Sequence, residues 1–288
     1  MIAANKRATK QLSIRQICEH NFLNRDAYYK TRTRNTERLA MESKVIEMVN
    51  SIRITQPRVG TRKLHHELED TFESRGFNVG RDKLFNILKS RNMLVQRKKA
   101  SYKTTNSYHR FYKYNNLIKN MKINAPNQVW VSDITYIRTI NGFCYLALIT
   151  DLYSRKIVGS DLSDSLELSG CLRALKKALA RARPTDNLVH HSDRGIQYCS
   201  NQYVKQLNKH NIRISMTEEN HCYENTGAER VNEILKIEFY LDECCTNTLT
   251  VKKAAKCAID MDNNKRLHLS LDYQTPNNVF NNSYKNYF

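Results

Sequence analysis

Asp133 sits in the middle of an alternating apolar run, "QVWVSDITYI", and Asp193 follows a short apolar run, "NLVHH", where the chain turns through "SDRG". Asp followed by Arg and Gly is a common turn signal, so Asp193 taken alone need do no more than close a turn. If the two runs are neighbouring strands, the carboxylates face each other across about 4.8 Å. Like charges that close each hold a proton unless something positive lies between them. Hard oxygen donors suit Mg²⁺ or Mn²⁺, and two such ions about 3.5–4 Å apart are the standard arrangement for displacement at a phosphodiester. A third acidic ligand is then expected on a neighbouring element.

"YENTGAERVNEILKIEFY" offers Glu224, Glu229, Glu233 and Glu238. At roughly 100° per residue, Ala228, Val231, Leu235 and Phe239 make an inward helical stripe, while Glu229 and Lys236 project together on the opposite side. Glu229 can therefore reach toward the sheet edge, with Lys236 two turns on and placed for a phosphate. Glu233 is near enough in angle to remain a rival. Arg194, beside Asp193, is a further phosphate contact; His190 and His191 suit strand-end packing or hydrogen bonding better than metal ligation.

The elements that must position these groups can be read from the periodicity. "QVWVSDITYI", "GFCYLALITDLY" and "KIVGSDL" alternate as three strands. "LELSGCLRALKKALARA" is an amphipathic helix, "NLVHH" a fourth strand and "IRISM" a fifth, with helices over roughly 225–239 and 251–264. Three meandering strands followed by alternating helices and strands fit an α/β fold, a mixed five-stranded sheet of the ribonuclease H type.

Ahead of this lies a different kind of sequence. The 288 residues carry a formal charge of +19, which points to a polyanionic partner, nucleic acid before an anionic membrane surface. Residues 1–119 hold 26 Lys and Arg against 10 Asp and Glu, and the remainder 21 against 18, so the front is the electrostatic handle. Residues 1–40 outline a helix-turn-helix or a plain helical hairpin, with Ile14, Ile17 and Cys18 on one face and Tyr28 and Tyr29 in a second short stretch. Residues 41–98 predict three helices: one burying Val45, Met48, Val49 and Ile52, one over "TRKLHHELEDTF" with Arg62 and Lys63, and one from Gly80 burying Leu84, Ile87 and Leu88. The last turns Arg81, Lys83, Asn86 and Lys89 outward, the ordinary build of a DNA-reading module. Residues 99–122 read as a basic aromatic linker, able to track a strand by phosphate neutralisation and stacking or to act as a solvated tether. The catalytic part then occupies 123–288. The opening residues have no apolar signal region, and no stretch approaches the roughly 18 apolar residues of a membrane span. Eight scattered cysteines without a C-x-x-C pair predict reduced, mostly buried thiols.

"VWVSDITYI", "HHSDRGIQYCS" and "CYENTGAERVNEILK" resemble, in order and spacing, the Asp, Asp, Glu signature of transposases of the insertion-sequence-three family, second reading-frame product, which share a retroviral-integrase-like core. That family separates its second Asp from its Glu by 35 residues, as Asp193 and Glu229 are here. "QPRVGTRKL" through "GRDKLFNIL" resembles its DNA-binding segment and "NNKRLHLSLDYQTP" its closing motif. The resemblance implies that Asp133, Asp193 and Glu229 are both the catalytic residues and the ligands of two Mg²⁺ or Mn²⁺ ions. It implies cleavage and strand transfer at the ends of a bacterial insertion sequence: water or a 3′ hydroxyl attacks a phosphodiester without a covalent protein intermediate. The implied partners are double-stranded DNA, further copies of the chain on that DNA, and the first-frame product, fused or associated, so the chain is expected to be the catalytic half of the working enzyme. The implied place is the bacterial cytoplasm, at the nucleoid, with no membrane. Glu218, Glu219, Glu224 and Asp262 depart from the pattern. A ribonuclease H-like nuclease that only hydrolyses, and a repressor with structural carboxylates, are the alternative readings.

Overall fold

In a computed structural model, the structure describes residues 13–96, 109–140, 142–182, 187–218, 226–241, 243 and 247–285. The chain forms two compact units, one of Met1–Ile52 and Glu67–Leu94, the other of Arg53–His66 and Val95–Phe288.

The first unit is helical. Helix α1 spans Ile14–His20, α2 Arg25–Arg53 and α4 Arg81–Ser90; α3, Thr61–Ser74, begins in the Arg53–His66 segment counted with the second unit. The expected break before Met41 is absent: α2 is one helix of 29 residues, because nothing between Lys30 and Lys44 is Gly or Pro and most of it is Arg, Lys, Glu, Leu, Ala and Met. Val45 and Val49 of α2, Leu68 and Phe72 of α3, and Leu84, Ile87 and Leu88 of α4 are buried. Arg62, Arg81, Lys83, Asn86 and Lys89 are exposed, as expected. Lys63 is not. Only 8% of it is accessible, so it is no part of a DNA-facing surface.

In the second unit, strands β1 (Val129–Thr139), β2 (Gly142–Asp151) and β3 (Ile157–Ser163) form an antiparallel meander, and β4 (Val189–Ser192) and β5 (Arg213–Met216) add in parallel on the other side of β1. The order β3-β2-β1-β4-β5 makes β1 the centre of the sheet. This is the ribonuclease H-like topology. Even-numbered β1 residues such as Trp130 face one layer, which holds helices α5 (Leu168–Ala182) and α7 (Asn201–Lys209), with the short α6 (Ile196–Cys199). Odd-numbered residues such as Val131 and Ile137 face α8 (Thr226–Glu238) and α9 (Thr248–Asn264). A final helix, α10 (Pro276–Lys285), contributes Phe280 to the first layer. Gly159 of β3 is a packing glycine: a Cβ there would collide with the Ala174 carbonyl and the Ala178 side chain of α5. The close approach of helix to sheet depends on it.

From His109 onward the basic aromatic tract lies on the core. Phe111 and Tyr114 pack against the α5 layer, and Ile118, Met121 and Ile123 against Val129 and Val131. The Asn115 carbonyl accepts the Met216 amide, covering the outer edge of β5, which would otherwise present unpaired groups. A ring committed to a core cannot stack on a base, so Phe111 and Tyr114 leave the list of stacking candidates while Tyr112 stays exposed. Tyr102 and Tyr108 lie outside the described residues. Cys18, Cys144, Cys171 and Cys199 are buried free thiols, while Cys257 is exposed. Burial pushes Cys171 up to about 12 and Cys199 up to about 11, so neither is a ready nucleophile. No helix among the described residues is long and apolar enough to cross a membrane.

Candidate active site

Asp133 is an odd-numbered residue of the central strand and so points toward α8. β4 runs parallel to β1 with Ser132 opposite Ser192, which sets Asp193, the next residue, level with Asp133. The turn reading of Asp193 is also true: its Oδ1 accepts the Gly195 amide at 3.0 Å. Glu229 stands in the first turn of α8, whose buried face is Ala228, Val231, Asn232, Ile234 and Leu235.

Electrostatics shows that these three side chains feel one another. Burial, then the Asp193 charge, raises Asp133 to about 7, and Glu229 adds to the rise, against hydrogen bonds from Ile134 and Asn232. Glu229 is itself raised, by burial first, then by Glu233 and Asp193. Among the described residues, no three His, Cys, Asp or Glu side chains are gathered tightly enough to hold a metal ion. Glu233, the rival, is exposed and paired with Arg230 at 3.1 Å.

Asn232 is the residue the sequence reading missed. Its Nδ2 donates to Asp133 Oδ2 at 2.6 Å, while its Oδ1 is buried and has no hydrogen-bond partner. The available signal was an amide in the inward stripe of a helix, between Val231 and Leu235, where burial demands a partner. In donor type, carboxylate oxygens with an orphaned buried amide oxygen beside Asp133 are hard ligands that suit a magnesium-type ion and suit a soft one poorly.

The two histidines are structural. Burial lowers His190 to about 3, so it is neutral, with Nε2 2.7 Å from Ser132 Oγ and 3.0 Å from the Tyr203 hydroxyl. His191 Nδ1 lies 2.9 Å from Ser215 Oγ, an oxygen that also accepts the Leu117 amide. Arg194 is half-buried beside Asp193, its carbonyl accepting from His109 Nε2 at 2.8 Å, and Lys236 is half-buried on α8. Of the departing residues, Glu218 pairs with Lys119 at 3.3 Å; Glu219 and Glu224 lie outside the described residues.

A mixed sheet in this strand order, with aspartates on its central strand and at the end of the adjacent parallel one, places the chain in the ribonuclease H-like class to which integrase cores belong. Two family models, both described as integrase core domain, match residues 123–222 and 210–276. The uncharacterized 31 kDa protein of insertion element IS600 from Shigella sonnei is 36% identical over 232 residues, 77% of this chain and 81% of that one. Transposase InsF for insertion sequence IS3A from Escherichia coli K12 is 43% identical over 114 residues, 40% of each chain. The chain belongs to the IS3 family of transposases and is a DNA transposase with polynucleotidyl transferase activity. Among solved structures, the catalytic core domain of HTLV-2 integrase in complex with magnesium aligns over 54% of this chain and 97% of that one, at 18% identity and a TM-score of 0.45.

Proposed function

We propose that Asp133, Asp193 and Glu229 are the catalytic acidic trio, that they hold two divalent ions, Mg²⁺ or Mn²⁺, and that they carry out cleavage and strand transfer at the ends of an insertion sequence. The observation that supports this reading is geometric: Asp133 on β1, Asp193 just past the adjacent parallel β4 and Glu229 in the first turn of α8, the helix whose Asn232 donates to Asp133; the charges of Asp193 and Glu229 add to the effect of burial in raising Asp133. Bound ions would activate the attacking water or 3′ hydroxyl and steady the leaving oxygen.

The chain's own residues do the rest. Asp133, raised to about 7, gives up its proton readily once positive charge compensates it. Asn232 fixes Asp133 Oδ2 and so limits the rotation of that carboxylate. Arg194, beside Asp193, and Lys236, on the helix of Glu229, carry positive charge that suits a scissile strand's phosphates; the exposed face of α4, with Arg81, Lys83, Asn86 and Lys89, suits duplex DNA, and the exposed Arg62 is a separate phosphate contact. Lys63 is withdrawn from that set because it is buried. Two element ends must be held together, so the working form is a multimer on DNA, fused to or associated with the first-frame product, at the bacterial nucleoid.

The test uses purified full-length chain, alone and fused to the first-frame product, with labelled element ends and Mg²⁺. Wild type should nick and join. Asp133→Asn, Asp193→Asn and Glu229→Gln should each lose both while binding DNA normally. Nicking without joining would favour a hydrolytic nuclease, and DNA binding without either reaction in any form would favour a repressor.

A further inference from the structure

We infer that a buried charge cluster at the C-terminal end of α8, formed by Glu238, Arg266, Lys63 and Asp262, is a buckle that sets the position of that helix and thereby of Glu229. The inference rests on the reading of Glu229 as a member of the acidic trio. Glu238 closes the helix that Glu229 opens, nine residues and about 13–14 Å of helix away.

Glu238 is gripped from two directions. Arg266 makes a two-pronged contact, Nε to Oε2 at 2.8 Å and Nη2 to Oε1 at 2.6 Å, and Lys63 Nζ reaches Oε2 at 3.3 Å. The Lys63 and Arg266 side chains are only 10% and 4% exposed. Behind Arg266 lies Asp262, fully buried, 3.6 Å from Arg266 Nη1 and 3.3 Å from His268 Nε2, with no hydrogen-bond partner on either oxygen. Arg266 Nη1 is 2.9 Å from His268 Nε2; arginine has no acceptor, so the imidazole nitrogen accepts and His268 is neutral. The buckle therefore holds two cations and two anions, a balanced set. Arg58 reinforces the same end of the helix, donating to the Ile237 carbonyl at 3.3 Å and to Glu243 at 2.6 Å, with its guanidinium 4.3 Å over the Tyr240 ring.

Such a cluster is a poor source of net stability, because desolvation offsets much of the attraction, but it is highly directional. An apolar contact tolerates sliding; a forked guanidinium on a carboxylate does not. Lys63 comes from the Arg53–His66 segment and Arg266 from the turn after α9, so the helix end is pinned between two pieces of chain remote in sequence. A helix moves as a rigid rod, and a slip at Glu238 is carried to Glu229. Misplacement of a catalytic group by about 1 Å costs on the order of a hundredfold in rate.

The test compares Glu238→Gln, Arg266→Lys, Arg266→Met and Lys63→Met in the full chain. Its readouts are Mn²⁺ binding without DNA, single-turnover nicking at saturating DNA, the DNA KM and the thermal midpoint. Glu238→Gln and Arg266→Met should slow nicking by about tenfold or more and weaken Mn²⁺ binding several-fold at unchanged KM. Arg266→Lys, which keeps the charge without the fork, should fall between them and wild type. Lys63→Met should do less and leave DNA affinity untouched. A lowered thermal midpoint with normal Mn²⁺ binding and normal rate overturns the inference, since the cluster would then be structural only. Should Arg266→Met fail to fold, Glu238→Gln decides. Glu229→Gln runs alongside: if it is inactive while Glu238→Gln matches wild type, only the buckle fails. If Glu229→Gln is fully active, the acidic trio itself is misassigned.

Discussion

Glu229 and Glu238 stand on the same helix, and their surroundings push them in opposite directions. Glu229 is raised, by burial first and then by the neighbouring carboxylates Glu233 and Asp193. At Glu238 burial also favours the neutral acid, but the hydrogen bonds and charge of Arg266, with Lys63, outweigh it and hold the group below its ordinary value. One end of α8 is an electrostatic deficit and the other a closed account of charge. The contrast separates an end that would receive a cation from one that already contains its own, on a single helix.

The strongest way to break this contrast is at the deficit. Asp133→Asn or Asp193→Asn should lower nicking and joining by at least about a thousandfold, the scale of losses when one member of a cooperating catalytic set is removed. Gel-shift affinity for element ends should stay within about twofold, since neither residue is a phosphate contact. Retained activity in both variants would end the comparison.

Stability sharpens it next. Glu238→Gln should destabilise the metal-free protein at pH 7 by about 2–4 kcal/mol in urea unfolding, because Arg266 and Lys63 are left buried without their partner. Its contribution is present above the ordinary glutamate range and disappears as pH falls through the depressed folded value, so variant and wild type should converge in acid. Glu229→Gln should show the opposite sign: with a folded pKa above the unfolded one, the charged form is disfavoured, and neutralising it should stabilise the metal-free fold at pH 8. Equal signs for the two variants would remove the distinction between the ends.

Divalent ions should close the gap. Saturating Mn²⁺ should raise the thermal midpoint of wild type by several degrees, the equivalent of about 2–3 kcal/mol at a hundredfold excess over Kd. Asp133→Asn should show little of this rise, and Glu238→Gln a reduced one. The smallest expected effects lie in the helical unit. Lys83→Ala and Lys89→Ala should each weaken DNA binding a few-fold and reduce its log–log salt slope by about one per lost phosphate contact, whereas Lys63→Met should leave the slope unchanged.

Much of the core was legible in advance because its signals are local. Period-two alternation placed the first three strands and short apolar runs the last two, which put Asp133 mid-strand and Asp193 just past a strand end. The inward stripe of Ala228, Val231, Leu235 and Phe239 was visible because helix geometry repeats every 3.6 residues. The helices between Ile196 and Lys209 were not anticipated: the first is a single turn, too short to show a period, and the second follows without a break in composition. Asn232 was passed over because an amide on an apolar stripe acquires meaning only once its partner is known. Asp262 stood out only as a departure; its role depends on Arg266 and on a buried lysine 199 positions earlier in the chain.

Local spacing and alternation, written directly into the residue order, determined the five strands, the helix that bears Glu229 and the places in the fold of the carboxylates proposed for chemistry. Tertiary structure alone decided that Lys63 turns inward, that Phe111 and Tyr114 belong to the core, and that the far end of α8 is held by a charge quartet. Each of those outcomes depends on which groups meet across long stretches of chain and on how much water is removed when they do. No window of neighbouring residues contains that information.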